Sequence, residues 1–163
     1  MDRFQIETKI VIQSPIDKVW NVLVDFANYD KWNAFIPYAS GELSVGSILN
    51  ITMHPPGEKR QKYKVKILHV AENKNLQWLG HFIMPGLIDG HHTFELHQMN
   101  NNETLLIHKE TFRGLVVPFV WKSFLNTKLR AGLELLNEGL KCYVENTKDF
   151  GSPKSRSTSE KDI

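Results

Sequence analysis

The order in which hydrophobic periods change along the chain constrains its fold more than any single motif. One segment with a period of two comes first, then a helical segment, then a long region with a period of two, and last one long segment of helical period. Consecutive short strands form an antiparallel sheet, and a single amphipathic helix must bury its apolar stripe against that sheet. The order therefore predicts an α+β fold in which a curved antiparallel sheet wraps around a long C-terminal helix.

The N-terminal segment predicts a strand followed by two short helices. Residues 4–12 alternate apolar and polar side chains, as a strand with one buried face does. Ser14 and Pro15 favour a helix start, because serine can accept free amide hydrogens and proline suits the first helical position. Asp17 completes a Ser-x-x-Asp box. The aromatic spacing over residues 29–35 predicts the second short helix.

The central region predicts about six further strands, for a sheet of about seven. Between Gly41 and Gly114 the hydrophobic period is two, and turn-forming residues interrupt it at intervals. The apolar parity changes at Leu68 and His69, which predicts a β-bulge there.

Residues 116–148 predict the long C-terminal helix. Apolar residues recur there every three or four positions, with charged residues between them. Gly132 and Gly139 lie seven residues apart and so share one side of the helix. Two explanations stay open: close packing against the sheet, or space left for a ligand.

Length and composition indicate one domain, over residues 1–148. The 163-residue chain suffices for one buried core and is short for two. Residues 149–163 are mostly polar or charged, with Gly and Pro, and predict a disordered tail.

Charge and hydropathy predict a cytoplasmic protein without nucleic-acid partners. The net charge is only +2, so no bulk positive field attracts nucleic acid. The start lacks the pattern of a signal peptide, and the longest apolar run, 115–121, is too short to span a bilayer. The lone Cys142 excludes an internal disulfide. Oligomeric state is left open.

The hairpin of residues 88–113 carries the polar residues of greatest interest. A three-residue loop at 100–102 sets Phe94 opposite His108 and His92 opposite Glu110. The parity of these residues matches that of the neighbouring apolar side chains. We therefore expect two histidines and one carboxylate to meet inside an apolar interior.

Three roles stay open for this His/Glu cluster. It can anchor the polar group of an apolar ligand, act as a general acid or base, or form a self-satisfied structural pair. His92, His108 and Glu110 are the catalytic candidates if the protein is an enzyme. Two histidines and a glutamate can also hold zinc or iron, but adjacent His91 and His92 must point to opposite faces, so no metal is expected.

At this point the chain resembles the START/Bet v1-like (SRPBCC) superfamily, and within it the polyketide cyclase/dehydrase-like group, over residues 4–148. The resemblance is carried by the order and spacing of several motifs: Ser14-Pro15-Ile16-Asp17-Lys18-Val19-Trp20, Phe26-x-x-Tyr29-x-x-Trp32-Asn33-x-Phe35, Leu76-x-Trp78-Leu79-Gly80, Pro85-Gly86-Leu87-x-Asp89-Gly90-x-His92-x-Phe94-x-Leu96 and His108-x-Glu110-x-Phe112-x-Gly114-Leu115. It implies a helix-grip fold whose members bind lipids, sterols, hormones or polyketides, and some of which cyclise or dehydrate polyketides.

The leading hypothesis is a module that binds a hydrophobic small molecule, of lipid, polyketide or aromatic type, in a cavity of roughly 300–1,000 Å³. The alternatives are a cyclase/dehydratase-type enzyme and a co-chaperone-like protein-interaction domain, which a filled cavity would favour. No cofactor is expected. The predicted ligand-binding residues lie on the inward-facing positions of three predicted strands and on the C-terminal helix. They are Trp78, Gly80, Phe82, His92, Phe94, His108, Glu110, Phe112, Leu129, Gly132 and Leu136.

Overall fold

The computed structural model describes residues 4–147 and contains the predicted seven-stranded antiparallel sheet. The strands follow one another in the order β1-β7-β6-β5-β4-β3-β2 across the sheet. Their bounds are β1 Gln5–Ile12, β2 Tyr38–Ser40, β3 Ile48–Met53, β4 Gln61–Ala71, β5 Asn75–Phe82, β6 Ile88–Asn100 and β7 Glu103–Arg113. The predicted bulge is confirmed, because the pairing of β4 with β5 shifts between Ile67 and His69.

Two short helices follow β1, as predicted, but their starts differ in detail. Helix α1 spans Ile16–Val24 and a 3₁₀ helix spans Phe26–Lys31. The predicted Ser14 cap is wrong, because Pro15 occupies the N-cap position and no side chain caps the first turn. Ser14 is buried instead, and its carbonyl accepts a hydrogen bond from Thr104 Oγ1 at 2.9 Å, which fixes the corner between β1 and α1.

The C-terminal helix is present, and its first half is wound differently from its second. A short helix α2 at Val117–Val120 runs into a π-helical stretch at Trp121–Leu129, and helix α3 continues over Arg130–Asn146. The predicted apolar stripe is buried along this length, at Leu125, Leu129, Leu133, Leu136, Leu140 and Val144. The predicted tail, residues 149–163, lies outside the described residues.

The two helix glycines allow α3 to approach the segment that follows the 3₁₀ helix. A Cβ atom at Gly132 would lie 2.3 Å from the ring of Phe35, and one at Gly139 would lie 2.2 Å from the carbonyl oxygen of Trp32. Close packing against the sheet and space for a ligand were the two expected explanations, and both are wrong. The glycines pack closely against Phe35 and Trp32 instead. Gly132 therefore faces the ring of Phe35.

The core lies between the concave face of the sheet, α1 and the C-terminal helix. Buried side chains come from every strand and from all of the helices described. Among the described residues, no helix is both long enough and apolar enough to cross a membrane.

Candidate functional site

The β6–β7 hairpin has the predicted register and brings the His/Glu cluster together. Phe94 pairs with His108, and His92 pairs with Glu110. His92, His108 and Glu110 are 2%, 0% and 3% exposed, so all three point into the interior. The residues are inward because their parity is that of the apolar positions around them.

A chain of hydrogen bonds connects the two histidines to the helix and to β1. His92 Nε2 and His108 Nε2 contact each other directly. His108 Nδ1 lies 2.7 Å from Asn137 Oδ1 on α3. Asn137 Nδ2 donates to Thr8 Oγ1 at 2.9 Å, and Thr8 Oγ1 donates to the carbonyl of His108 at 3.3 Å. The ring of His108 is thereby held between His92 and Asn137, and Thr8 links Asn137 to the backbone of His108.

Glu110 stands at the other end of this chain and is only partly satisfied. Its Oε1 is 3.9 Å from His92 Nδ1, too far for a direct hydrogen bond. Its Oε2 has no hydrogen-bond partner among the described residues. Burial without a nearby cation raises the pKa of Glu110 to about 8, so the carboxyl is mostly neutral at pH 7.

Burial acts on the histidines in the opposite sense. It holds the pKa of His92 well below its usual range, helped by the neighbouring His108, and it lowers the pKa of His108 to about 3. Desolvation disfavours the charged form of each group, so the cluster carries no net charge at neutral pH.

Two paired glycines leave open space beside the Glu110 carboxyl. Gly80 on β5 pairs with Gly90 on β6, and both are buried on the inner face. A Cβ atom at Gly90 would lie 3.0 Å from Glu110 Oε1, and one at Gly80 would lie 3.0 Å from Val65 Cγ1. A side chain at either position would fill this space.

The resulting pocket is small. Its volume is about 20 Å³, enough for one water molecule. It is lined by Ile51, Met53, Tyr63, Val65, Trp78, Gly80, His81, Phe82, Gly90, His92 and Glu110. The expected cavity of several hundred cubic ångströms is therefore wrong for this structure, because the aromatic side chains close most of the space.

A second pocket lies beside the first, on the side of the exposed residues Glu58, Lys59 and Gln61. It has a volume of about 30 Å³ and shares Met53, Tyr63 and Phe82 with the first. The rings of Tyr63 and Phe82 pack with centroids 4.9 Å apart and form the shared wall. The second pocket is also lined by Pro55 and Phe124. Because the two rings form the shared wall, moving one of them would join the two pockets into a channel.

The loop after Phe82 is held in an unusual backbone conformation. Ile83 has a φ of 73°, which β-branched residues rarely adopt, and its side chain is 89% exposed. Asp89 accepts hydrogen bonds from the Gly86 amide at 3.0 Å and lies 2.6 Å from His81 Nδ1. The segment that follows the pocket-lining Phe82 thus combines local strain with a specific polar contact.

The predicted ligand-binding residues separate into pocket-lining and core positions. Trp78, Gly80, Phe82, His92 and Glu110 line the inner pocket, and Phe82 and Leu129 line the outer one. The remaining members are buried in the core: Phe94, His108, Phe112, Gly132 and Leu136. A larger groove of about 610 Å³ lies elsewhere, beside exposed residues such as Tyr38 and Lys64 of β2 and β4.

Sequence reasoning missed Asn137 and Thr8. Each is a polar residue within an otherwise apolar set, Asn137 in the helix stripe and Thr8 on the inner face of β1. A polar residue at a core-facing position requires a hydrogen-bond partner, so the residue pattern predicts a partner for each of them.

A comparison with protein-family models assigns the chain to a known family. Residues 13–134 match the family described as Activator of Hsp90 ATPase homolog 1-like protein. The chain belongs to this family. With the fold, the match confirms the resemblance to the SRPBCC superfamily and its polyketide cyclase-like group. No curated protein sequence matches the chain significantly.

Solved structures show the same fold at low sequence identity. The Zhui aromatase/cyclase from Streptomyces sp. is 13% identical with a TM-score of 0.72, over 86% of this chain and 93% of that one. A START superfamily protein from Mycobacterium smegmatis is 20% identical with a TM-score of 0.66, over 86% and 97%. A norcoclaurine synthase mutant from Thalictrum flavum is 14% identical with a TM-score of 0.66, over 86% and 93%.

Proposed function

We propose that this protein binds a mostly apolar small molecule between the sheet and the C-terminal helix, with a polar group of the molecule next to Glu110. The observation that carries the proposal is the buried Glu110 Oε2, which lacks a partner among the described residues and borders the space left by Gly80 and Gly90. Leaving a buried polar atom unpaired costs about 1–3 kcal/mol. A ligand that supplies the missing hydrogen bond recovers that energy.

The walls of the pocket support an apolar ligand. Trp78, Phe82 and Met53 surround the carboxyl and offer large, adaptable apolar surfaces. Mostly apolar walls with a few convergent polar groups are typical of small-molecule sites. The site differs from a preformed one in volume, since about 20 Å³ does not admit an organic molecule.

Binding therefore requires the interior to open. Phe82 separates the two pockets and directly precedes the strained Ile83. Rotation of the Phe82 ring with a shift of the following loop joins the pockets without breaking the β5–β6 pairing that ends at Phe82 and Ile88. We expect the opened channel to run from Phe124 to Glu110.

The test uses the neutral fluorescent probe N-phenyl-1-naphthylamine. Gly80→Ala adds a methyl group that fills the inner pocket, and we expect it to weaken probe binding about fivefold or more. Tyr38→Ala alters the larger groove of about 610 Å³ and is the matched control, with unchanged affinity expected. Melting curves of both variants verify folding. Weakened binding in Tyr38→Ala alone would place the probe in that larger groove and refute the proposal.

An enzyme of the cyclase or dehydratase type is the second candidate. Glu110 is a buried acid with a pKa of about 8, and His92 Nδ1 lies 3.9 Å from it, so one proton donor and one acceptor stand side by side. Native mass spectrometry of the purified protein can identify a bound compound as the substrate for assay. A hundredfold loss of turnover in Glu110→Gln, with little change in affinity, would establish the enzyme; a binding protein instead shows an affinity change of about tenfold or less.

A protein-interaction role is the third candidate, and two observations favour it. The interior is almost filled, and three large apolar side chains are exposed, Ile83, Leu115 and Phe119, at 89%, 79% and 83%. They belong to two segments that are joined by the hydrogen bond from the Leu115 amide to the Gly86 carbonyl. The family description suggests the ATPase of Hsp90 as the partner to try. Stimulation of Hsp90 ATP hydrolysis by this chain, lost in Phe119→Ser, would support that role; no stimulation would exclude it for this partner.

A further inference from the structure

The hydrogen bonds around Asn137 have one consistent direction. Thr8 Oγ1 donates its hydrogen to the carbonyl of His108, so it can only accept from Asn137. The amide nitrogen of Asn137 therefore faces Thr8, and the amide oxygen faces His108 Nδ1. An oxygen at that position requires the hydrogen of His108 to lie on Nδ1.

The same assignment of donors and acceptors fixes which nitrogen of each imidazole carries the hydrogen. A neutral His108 protonated at Nδ1 has a lone pair on Nε2, so His92 must donate through its own Nε2. His92 is neutral as well, and its Nδ1 consequently carries a lone pair. His92 Nδ1, with its lone pair, faces Glu110 and lies 3.9 Å from Oε1.

Because of this series of hydrogen bonds, His92 offers Glu110 no hydrogen-bond donor. A carboxylate without a donor or a cation is disfavoured in an apolar interior, so the carboxyl keeps its proton. The rise of the Glu110 pKa to about 8 agrees with this assignment. Oε2, without a partner among the described residues, is then free to donate into the pocket.

We propose that the interior site selects a ligand with a neutral hydrogen-bond acceptor, such as a ketone or ester carbonyl oxygen, and that Asn137 is the positioning residue that sets this preference. The inference rests on the proposed function and specifies the chemistry of the ligand at the same site. A cationic amine offers no lone pair to the protonated Glu110, and a carboxylate on the ligand would bring into the interior a charge that needs a cation to balance it.

The test compares two probes of the same shape, acetophenone and α-methylstyrene, in which a methylene group replaces the carbonyl oxygen. Affinities are measured by following protein amide signals in NMR titrations. The readout is the affinity for the ketone divided by the affinity for the alkene. A ratio is used because the alkene is intrinsically the more hydrophobic of the two probes. Between the wild type and Glu110→Leu we expect this ratio to fall about tenfold, the effect of one hydrogen bond. Glu110→Gln retains a donor and should keep the wild-type ratio.

The outcomes separate the two proposals. Binding of both probes with the same ratio in wild type and Glu110→Leu would overturn the preference for an acceptor and leave the binding function intact. Failure of both probes and of N-phenyl-1-naphthylamine to bind the wild type would remove the binding function and this inference with it.

The pH dependence supplies a second arm. Other titratable groups lie near the carboxyl: His108 on its own strand β7, His92 on the neighbouring β6, and His81 and Tyr63 across the pocket. We expect the ketone preference of the wild type to decline as Glu110 ionises above about pH 8, while Glu110→Gln keeps it. A decline of equal size in both proteins would assign the effect to another group and contradict the inference.

The positioning role has its own spectroscopic test. Nitrogen-15 spectra of the histidine rings should show His92 unprotonated at Nδ1 and His108 protonated there. Asn137→Leu removes the acceptor for His108, and we expect the ketone preference to fall and the ring signals to change. Thr8→Val, a milder change that removes only the hydroxyl, provides the same test if Asn137→Leu does not fold. A proton on His92 Nδ1 in the wild type, or an unchanged preference in the folded variants, would refute the positioning role.

Discussion

Replacing Glu110 by Gln should change how the stability of the protein depends on pH. The unfolded carboxyl has the ordinary pKa of 4.5, and burial raises the folded value to about 8. Because the folded pKa is the higher one, the contribution of the protonated carboxyl is fully present below pH 4.5. It is lost as the pH rises through about 8.

The magnitude follows from the two values. At about 1.4 kcal/mol for each pH unit, the gap between 4.5 and about 8 corresponds to about 4–5 kcal/mol, and about 3 kcal/mol of it falls between about pH 5 and pH 8. Gln cannot ionise, so Glu110→Gln lacks this loss. The free energy of unfolding of the variant should therefore increase relative to wild type by about 3 kcal/mol over that range.

The assay is urea unfolding of both proteins at a series of pH values. Glu134→Gln is the matched control, because Glu134 is exposed on the same helix-grip domain, and its stability should follow the wild type at each pH. Parallel stability curves for Glu110→Gln and wild type would refute the buried, neutral carboxyl.

Three further changes test other parts of the account. Burial lowers the folded pKa of His108 to about 3, so its contribution to stability is present above pH 6.5 and is lost as the pH falls from 6.5 towards 3. His108→Phe should weaken this loss of stability, which urea unfolding at a series of pH values measures. Gly132→Ala should destabilise the fold by about 1–3 kcal/mol, since its Cβ would meet the Phe35 ring at 2.3 Å, and a melting temperature equal to that of wild type would contradict this packing. Deleting residues 149–163 should leave the melting temperature unchanged, because that segment lacks an apolar stripe, and a drop of several degrees would show that it docks.

The sheet and the His/Glu pairing could be predicted because both follow from a period of two. Once Phe94 and Phe112 fix the inner face, the position of His92 and Glu110 on that face is determined by parity. The pairing of the two strands depends on how many residues the loop contributes between them. The bulge near Asn100 gives the same pairing of β6 with β7 as the expected three-residue loop.

The remaining features depend on contacts between elements distant in sequence. Asn137 meets His108 only when the rotation of α3 over the sheet is known, and Gly132 meets Phe35 only through the path of the chain after the 3₁₀ helix. The pocket volume depends on the packing of the Tyr63 and Phe82 rings, whose centroids lie 4.9 Å apart. Residue patterns in a single sequence do not encode such distances.

The most direct test of the account is the infrared absorption of the Glu110 carboxyl at about pH 7. A neutral carboxylic acid has a C=O stretching band distinct from that of a carboxylate. We predict such a band in the wild type, its absence in Glu110→Gln, and a shift of the band when acetophenone is added, with a smaller shift for α-methylstyrene. Absence of the band from the wild type, or a band that saturating acetophenone leaves unchanged, would contradict a buried acid that donates to a ligand.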